Sequence, residues 1–393
     1  MVPQFDLLRH TEIGSVIEYA VKSLQVDNIL IMGHSRCGGI KRLMSLPDQT
    51  QTYDFIDEWV KIGLPAKKKV LEEAGDLPTE QQLTLCEKES VKNSMGNLLT
   101  YPFVRRAVVN GTLTLRGAYY DFVNGNFEQW QIVQEELDEK VQSKVEKLIA
   151  ELQGREHHHH HPHPHHPPCD HDAQRLDDGF HFFKTNIFEY VYNSQFTSRI
   201  THQRLITLIS AFKNRECFKK LAEAQHPKFL VFSCSDSRVS PSVVLNFKPG
   251  EAFVGRNIAN MVPQFDQLRH IEIGSVIEYA VKSLQVDNIL IMGHSRCGGI
   301  ERLMSLPDHT QTYDFIDEWV KIGLPAKKKV LEEAGNLPPE QQLTLCEKES
   351  VKNSMGNLLT YPFVRSAVVN GTLTLRGGYY DFVNGDFKQW KIL

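Results

Sequence analysis

Short apolar runs bounded by glycine, proline and polar residues alternate with segments of helical spacing through the second half of the chain. Lys228–Cys234 is a compact apolar run and reads as a buried strand. Glu251–Gly255 reads as a second strand, and Asn288–Met292 as a third, ending at Gly293-His294. Between them, residues 274–285 place Val276, Ile277, Ala280, Val281 and Leu284 on one helical face. A helix is expected to start near Cys297, with others around 313–322 and 340–359. Thr372–Leu375 and Phe387–Trp390 read as strands, with Asn384-Gly385 as a turn between flanking segments. Strands alternating with helices predict an α/β unit with a mainly parallel sheet flanked by helices.

The pattern occurs twice. Residues 1–133 return as 261–393 at a constant offset, with twelve differences such as Leu7 against Gln267 and Lys41 against Glu301. A whole unit has been duplicated, which is not the short period of a solenoid. The first copy starts inside the unit, since Met1 matches the internal Met261. It therefore has no counterpart of residues preceding Met261.

Three segments follow: a truncated repeat at 1–133, a helical arm and linker at 134–176, and a complete unit at 177–393. Within the arm, Val141, Val145, Leu148, Ile149 and Leu152 share a helical face. His157–His161 and the Pro/His mixture ending near Pro168 form a low-complexity tract, read as a linker rather than a functional metal site. Proline there removes backbone donors and blocks regular structure.

Composition narrows the class. A formal charge of −4 over 393 residues leaves neither a nucleic-acid nor a membrane-surface footprint. No apolar run is long enough to span a bilayer, and no basic-plus-apolar leader opens the chain. Seven cysteines in so long a chain are not a disulfide scaffold, and two of them have metal-type spacing, which fits a reducing compartment.

The chemistry concentrates in two short runs. Cys234, Asp236 and Arg238 alternate in Cys-Ser-Asp-Ser-Arg, so on an extended strand they share a face. His294 and Cys297 stand three apart at a strand-to-helix junction, where both can face one ion. A helix N-terminus favours Cys297 as thiolate. Two sulfurs and one imidazole suit tetrahedral zinc and leave one position for water, the mark of a catalytic site. Bound zinc lowers the pKa of its water from about 15.7 toward 7. Asp236 is placed to accept a hydrogen bond there, held ionised by a bidentate pair with Arg238. The first copy keeps His34 and Cys37 but lacks the Cys-x-Asp-x-Arg strand, so one complete site per chain is expected. Cys86 and Cys346 read as helix packing residues, and Cys169 and Cys217 as incidental.

With these residues in hand, the chain resembles the β-class carbonic anhydrases, and closely the plant-type branch. The resemblance rests on Cys-Ser-Asp-Ser-Arg-Val at 234–239, Pro-Gly-Glu-Ala-Phe-Val at 249–254, Arg-Asn-Ile-Ala-Asn at 256–260, Gly-His-Ser-Arg-Cys-Gly-Gly at 293–299 and Gly-Gly-Tyr-Tyr-Asp-Phe-Val at 377–383. It implies reversible hydration of CO2 to bicarbonate by zinc-bound hydroxide, with Zn2+ held by Cys234, His294 and Cys297 and with Asp236 and Arg238 as the dyad. It also implies that Gln225, Phe253, Ile258 and Tyr279 line a substrate pocket near a dimer interface. A homo-oligomer, or a pseudo-dimer between the repeats, follows from the family's habit. The sequence leaves the location open between cytoplasm and chloroplast stroma, both reducing compartments.

Two departures stand out: the headless first copy and residues 186–211, which interrupt an otherwise matching segment as an insertion or as translated non-coding sequence. Two other functions compete. One is hydrolysis of carbon disulfide on the same ligands, and the other is a zinc-bound scaffold, against which the retained dyad argues. The direct connection at Asn260–Met261 favours His294 and Cys297, not His34 and Cys37, as the partners of Cys234.

Overall fold

The computed structural model describes residues 1–131 and 220–391 except 49, 51 and 311, together with positions 178 and 218. The expected arm at 136–153, the His/Pro tract, Cys169, Cys217 and the segment 186–211 lie outside the described residues. In the first repeat the elements are α1 (Thr11–Glu18), β1 (Asn28–His34), α2 (Gly38–Ser45), α3 (Ile56–Val60), α4 (Leu64–Ala74), α5 (Thr79–Leu98), α6 (Pro102–Val109), β2 (Thr114–Asp121) and β3 (Asn126–Gln131). Next come β4 (Phe229–Cys234), α7 (Pro241–Val244) and β5 (Ala252–Asn257). The second repeat then gives α8 (Ile271–Glu278), β6 (Asn288–His294), α9 (Gly298–Ser305), α10 (Ile316–Val320), α11 (Leu324–Ala334), α12 (Pro339–Leu358), α13 (Pro362–Val369), β7 (Thr374–Asp381) and β8 (Asp386–Lys391).

These elements form two compact units that do not follow the repeat boundary. One joins residues 1–26 and 42–64 to 225–393, and the other comprises 27–41 and 65–224.

The larger unit is built on a five-stranded sheet of order β5-β4-β6-β7-β8. Strands β5, β4, β6 and β7 run parallel, and β8 closes the edge antiparallel. A parallel sheet is covered on both faces, so its strands are apolar throughout rather than alternating. Here Leu230, Phe232 and Cys234 enter one core cluster with Ile289 and Ile291, while Val231, Leu290 and Met292 pack on the opposite face. Helix α12 packs against β6 and β7. Its buried Cys346, Val351, Met355 and Leu358 join the first cluster, as the reading of Cys346 requires.

The first repeat contributes α1 and α3 to this unit, and their contacts are reciprocal. The Glu18 carboxylate, fully buried, accepts the backbone N–H groups of Asp314, Phe315 and Ile316 at 2.8, 2.8 and 3.0 Å. Glu278 does the same for Asp54, Phe55 and Ile56 at 2.8, 2.9 and 3.1 Å. The Phe315 ring lies where a Cβ on Gly14 would be, and the Phe55 ring lies likewise over Gly274. A side chain at either glycine would displace a buried ring. An antiparallel bridge pairs His10 with His270.

The smaller unit holds a three-stranded sheet, β1-β2-β3, with the register of its counterpart: Asn28 pairs with Thr114 as Asn288 pairs with Thr374. Among the described residues β1 is an edge strand, with no strand beside it where β4 stands beside β6. The identical sequence is accordingly less covered: Met32 is 58% exposed, whereas Met292 is fully buried.

The expected elements recur with shifted ends. The helix expected over 274–285 is α-helical only to Glu278 and continues as a π-helical turn over Tyr279–Ser283, as Tyr19–Ser23 does after α1. The strand expected at Glu251–Gly255 runs over Ala252–Asn257, and the strand begun at Thr372 runs over Thr374–Asp381. Helices α7, α11 and α13, each with proline in its first turn, were not expected. No described helix is long and apolar enough to cross a membrane.

Candidate metal centre

Three residues converge at the C-terminal ends of adjacent parallel strands, the usual crevice of an open α/β sheet. Cys234 is the last residue of β4, His294 the last of β6, and Cys297 the N-cap of α9. Their two Sγ atoms and one imidazole nitrogen lie within 4.8 Å of one another, and all three residues are buried. The turn that makes this possible includes Arg296 at φ 52°, a left-handed conformation that reverses the chain between the two ligands.

The donor set is poised for a cation. His294 Nδ1 is taken by the Ser295 carbonyl at 2.8 Å, which leaves Nε2 as the free ring nitrogen. That Nε2 is buried with no hydrogen-bond partner, an expense that a metal ligand bond would offset. The two thiols share a proton: the hydrogen bond from Cys297 to Cys234 holds Cys234 well below the usual thiol pKa and pushes Cys297 well above it. A cation between them would take the place of that proton. Among the described residues this is the one such group of three.

The surroundings fix each member. Cys297 N–H donates to Glu347 Oε1 at 3.1 Å, and Tyr379 O–H donates to Glu347 Oε2 at 2.6 Å. The His294 ring stacks on Phe382 at 6.0 Å. The paired glycines after Cys297 make room for neighbours. A Cβ on Gly299 would strike Ile258 and Ala259, and one on Gly298 would strike the Tyr19 hydroxyl.

Asp236 lies just past β4 and is gripped by Arg238. Nε donates to Oδ1 at 3.0 Å, Nη2 donates to Oδ2 at 2.6 Å, and the Arg238 backbone N–H donates to Oδ1 at 2.9 Å. Partial burial works against the carboxylate's charge, but these bonds overcome it and hold its pKa below the ordinary range. The Arg238 guanidinium stacks 4.3 Å above the Phe382 ring centroid. Arg256 braces the same loop, donating to the carbonyls of Cys234 and Asp236 at 2.9 and 2.6 Å.

The residues expected to line a pocket are more scattered. Ile258 is buried beneath α9, and its carbonyl accepts the Trp319 indole N–H at 2.8 Å. Phe253 and Tyr279 pack against each other, with ring centroids 5.7 Å apart. Gln225 is exposed ahead of β4. The tyrosine against Gly298 is Tyr19 of the first repeat, whereas the sequence reading named Tyr279. Burial, followed by the acidic groups Cys297, Cys234 and Asp236 nearby, raises the Tyr19 pKa. Because the two repeats are identical here, only their packing decides which tyrosine approaches. A cavity of about 610 Å³ opens beside Cys297, lined by Arg296, Glu301, Thr344, Glu347, Lys348 and Asp381 among others.

A sequence model of the carbonic anhydrase family matches residues 1–127 and 229–387. The chain belongs to the carbonic anhydrase family. Its two matched segments are the tandem arrangement. Beta carbonic anhydrase 3 of Arabidopsis thaliana is 46% identical over 222 residues, which cover 56% of this chain and 77% of that protein. This carbonic anhydrase is thus of the β class, a lyase whose family reaction is CO2 hydration. Among solved structures, the β-carbonic anhydrase CcaA is 26% identical with a TM-score of 0.47, covering 56% of this chain and 88% of that one. A tetrameric β-carbonic anhydrase of Sordaria macrospora is 29% identical with a TM-score of 0.42, covering 49% and 95% respectively. The Coccomyxa β-carbonic anhydrase, solved with acetazolamide, is 29% identical with a TM-score of 0.41, covering 48% and 84%.

Proposed function

We propose that this carbonic anhydrase interconverts CO2 and bicarbonate at a zinc ion held by Cys234, His294 and Cys297. Asp236 and Arg238 serve as the orienting dyad, and the first repeat acts as a built-in partner. The observation that carries the reading is the unpartnered, buried Nε2 of His294 beside two cysteine sulfurs. Two sulfurs and one nitrogen favour zinc over the harder divalent ions. Bound there, zinc supplies the positive charge that acidifies water and polarises oxygen.

The protein's own groups do the positioning. Arg238 keeps Asp236 ionised and fixes the plane of its carboxylate. Asp236 Oδ1 is occupied by two Arg238 donors, whereas Oδ2 takes one and retains a lone pair that can accept a hydrogen bond from water or bicarbonate and orient it. Phe382 covers both the His294 ring and the Arg238 guanidinium, reducing their contact with water. The Tyr19 hydroxyl, lodged in the space that Gly298 leaves open, provides a donor from the first repeat. Ile258 offers apolar surface beneath α9, and Phe253, Tyr279 and Gln225 belong to the proposed outer wall of the substrate path.

The pseudo-dimer reading rests on the reciprocal contacts of Glu18 and Glu278, each clasping the backbone of the other repeat. Zinc analysis and stopped-flow CO2 hydration on reduced protein test the proposal together. One zinc per chain and turnover that both vanish in Cys234→Ser are expected. Turnover without bound zinc would overturn it.

A further inference from the structure

Between the two runs that carry Cys234 and Cys297 lies a tight turn, residues 257–261, at the end of β5. It touches both halves of the centre. On one side Asn257 pairs with Cys234 across β5 and β4, and its carbonyl accepts the Ser235 N–H at 2.8 Å. On the other side a Cβ on Gly299, two residues past Cys297, would lie 2.7 Å from Ile258 and 2.8 Å from Ala259. The turn is bent by Ala259 at φ 60°, a left-handed value that alanine adopts at a cost, and by Asn260 at 46°. Asn257 holds the bend closed: its Nδ2 donates to the Met261 carbonyl at 2.9 Å. The same Nδ2 donates to Glu12 Oε1, from the first repeat, at 3.3 Å.

On the proposed assignment of Cys234, His294 and Cys297 as metal ligands, we infer that Asn257 is a positioning residue for the centre and that Glu12 sets the orientation of its amide.

An asparagine amide can be turned over without changing its shape, so its neighbours decide which end faces them. Met261 and Glu12 both present acceptor oxygens, and both favour the NH2 end. Oδ1 is left buried with no hydrogen-bond partner, in a residue with no exposed surface. That end costs stability, so the amide is held by its two donated bonds. Without Glu12 one of them is lost, and the side chain can turn away from Met261. The turn then loosens against Cys234 and Gly299 together, and the spacing of the two sulfurs is no longer fixed.

Glu12 is itself a poor choice for stability. Its Oε2 is buried without a partner, and burial and the charge of Glu272 oppose its ionisation. Groups that break a local rule at a cost in stability concentrate at functional sites. Glu272, at the matching position of the second repeat, is used differently. Its Oε1 accepts the Ile13 N–H at 3.4 Å, and its Oε2 stands 3.5 Å from His10 Nδ1.

The test compares Glu12→Met, which removes the acceptor, with Glu12→Gln, which keeps it, in the full-length, zinc-loaded chain. Glu12→Met is expected to lower kcat for CO2 hydration about fivefold, with KM changed less than about twofold. It should release zinc to a chelator about tenfold faster. Its Tm at pH 8 should equal or exceed that of the unmodified chain, because a costly buried carboxylate is gone. Glu12→Gln should recover most of both losses. Unchanged kcat and zinc release in Glu12→Met would overturn the proposal, as would a Glu12→Gln that behaves like Glu12→Met. A Tm that falls together with kcat would show a merely structural role and overturn it too. Hydrogen exchange of the Ser235 amide, followed by mass spectrometry in the chain as purified, separates this inference from the metal assignment. It should quicken about tenfold in Glu12→Met and not in Glu12→Gln. Equal exchange in all three chains refutes the role of Asn257, whereas altered exchange in a chain that binds no zinc upholds it and refutes the metal assignment.

Discussion

Glu18 accepts the backbone N–H of Phe315 at 2.8 Å, joining positions 297 apart in sequence. The carboxylate has no exposed surface, and its remaining partners are two more N–H groups and Lys22 at 2.7 Å. Replacing Glu18 with alanine strands those donors at the start of α10. A loss of about 3 kcal/mol or more of unfolding free energy is expected, measured by urea titration. Glu278→Ala should cost a similar amount through Asp54, Phe55 and Ile56. A change under about 0.5 kcal/mol in either variant would show that the clasp does not hold the repeats together.

The two tyrosines should separate kinetically. Tyr19 stands against Gly298, beside the cysteines and Asp236, and Tyr279 packs on Phe253. Tyr19→Phe is expected to lower kcat/KM about fivefold, the equivalent of about 1 kcal/mol for one hydrogen bond. Tyr279→Phe should change it less than twofold. Equal effects in stopped-flow assays would mean that both repeats address the centre alike.

Metal stoichiometry discriminates the two copies of the His-Ser-Arg-Cys run. Cys234→Ser and Cys297→Ser should each lose the bound zinc seen by elemental analysis, and chelation of the unmodified protein should lower its Tm by mass action. Two zinc ions per chain would mean that His34 and Cys37 recruit ligands of their own.

Glu12 makes stability depend on pH in an unusual direction. Its Oε2 is shut away from water without a hydrogen-bond partner. Desolvation first, then the charge of Glu272, raises its pKa well above the usual carboxylate value. A carboxyl raised on folding stabilises the protein fully below its unfolded pKa, about 4.3, and loses that contribution as pH rises through the folded value. Glu12→Gln should therefore gain at least about 1 kcal/mol at pH 8, and less at pH 5. Thermal melts across that range check it: a variant that is equally destabilised at both values would contradict the sign.

The centre was legible in the sequence because its ligands end two apolar runs. Cys234 closes Phe229–Cys234, and His294 closes Asn288–His294, so strand recognition alone brings them to one sheet edge. Alternation on an extended strand was the ground for reading Asp236 and Arg238 together, but β4 ends at Cys234, and the two meet in the loop beyond it through the Arg238 guanidinium and backbone N–H. Three helices of the complete unit escaped notice for a local reason: Pro241, Pro325 and Pro362 sit in the first turns of α7, α11 and α13, where proline is tolerated but reads as a break. Tyr19 escaped for a different reason. Two repeats of nearly identical sequence give no indication of which copy's tyrosine meets which copy's cysteine, and that choice is made by the packing of α1 on α10 and of α8 on α3.

The Glu18 clasp has one more consequence. Its two ends belong to a single polypeptide, so no second molecule has to be found before it closes, and there is no association constant to satisfy. An assembly of separate subunits comes apart as it is diluted, but this contact has the same occupancy at any protein concentration. Its strength is set by folding alone.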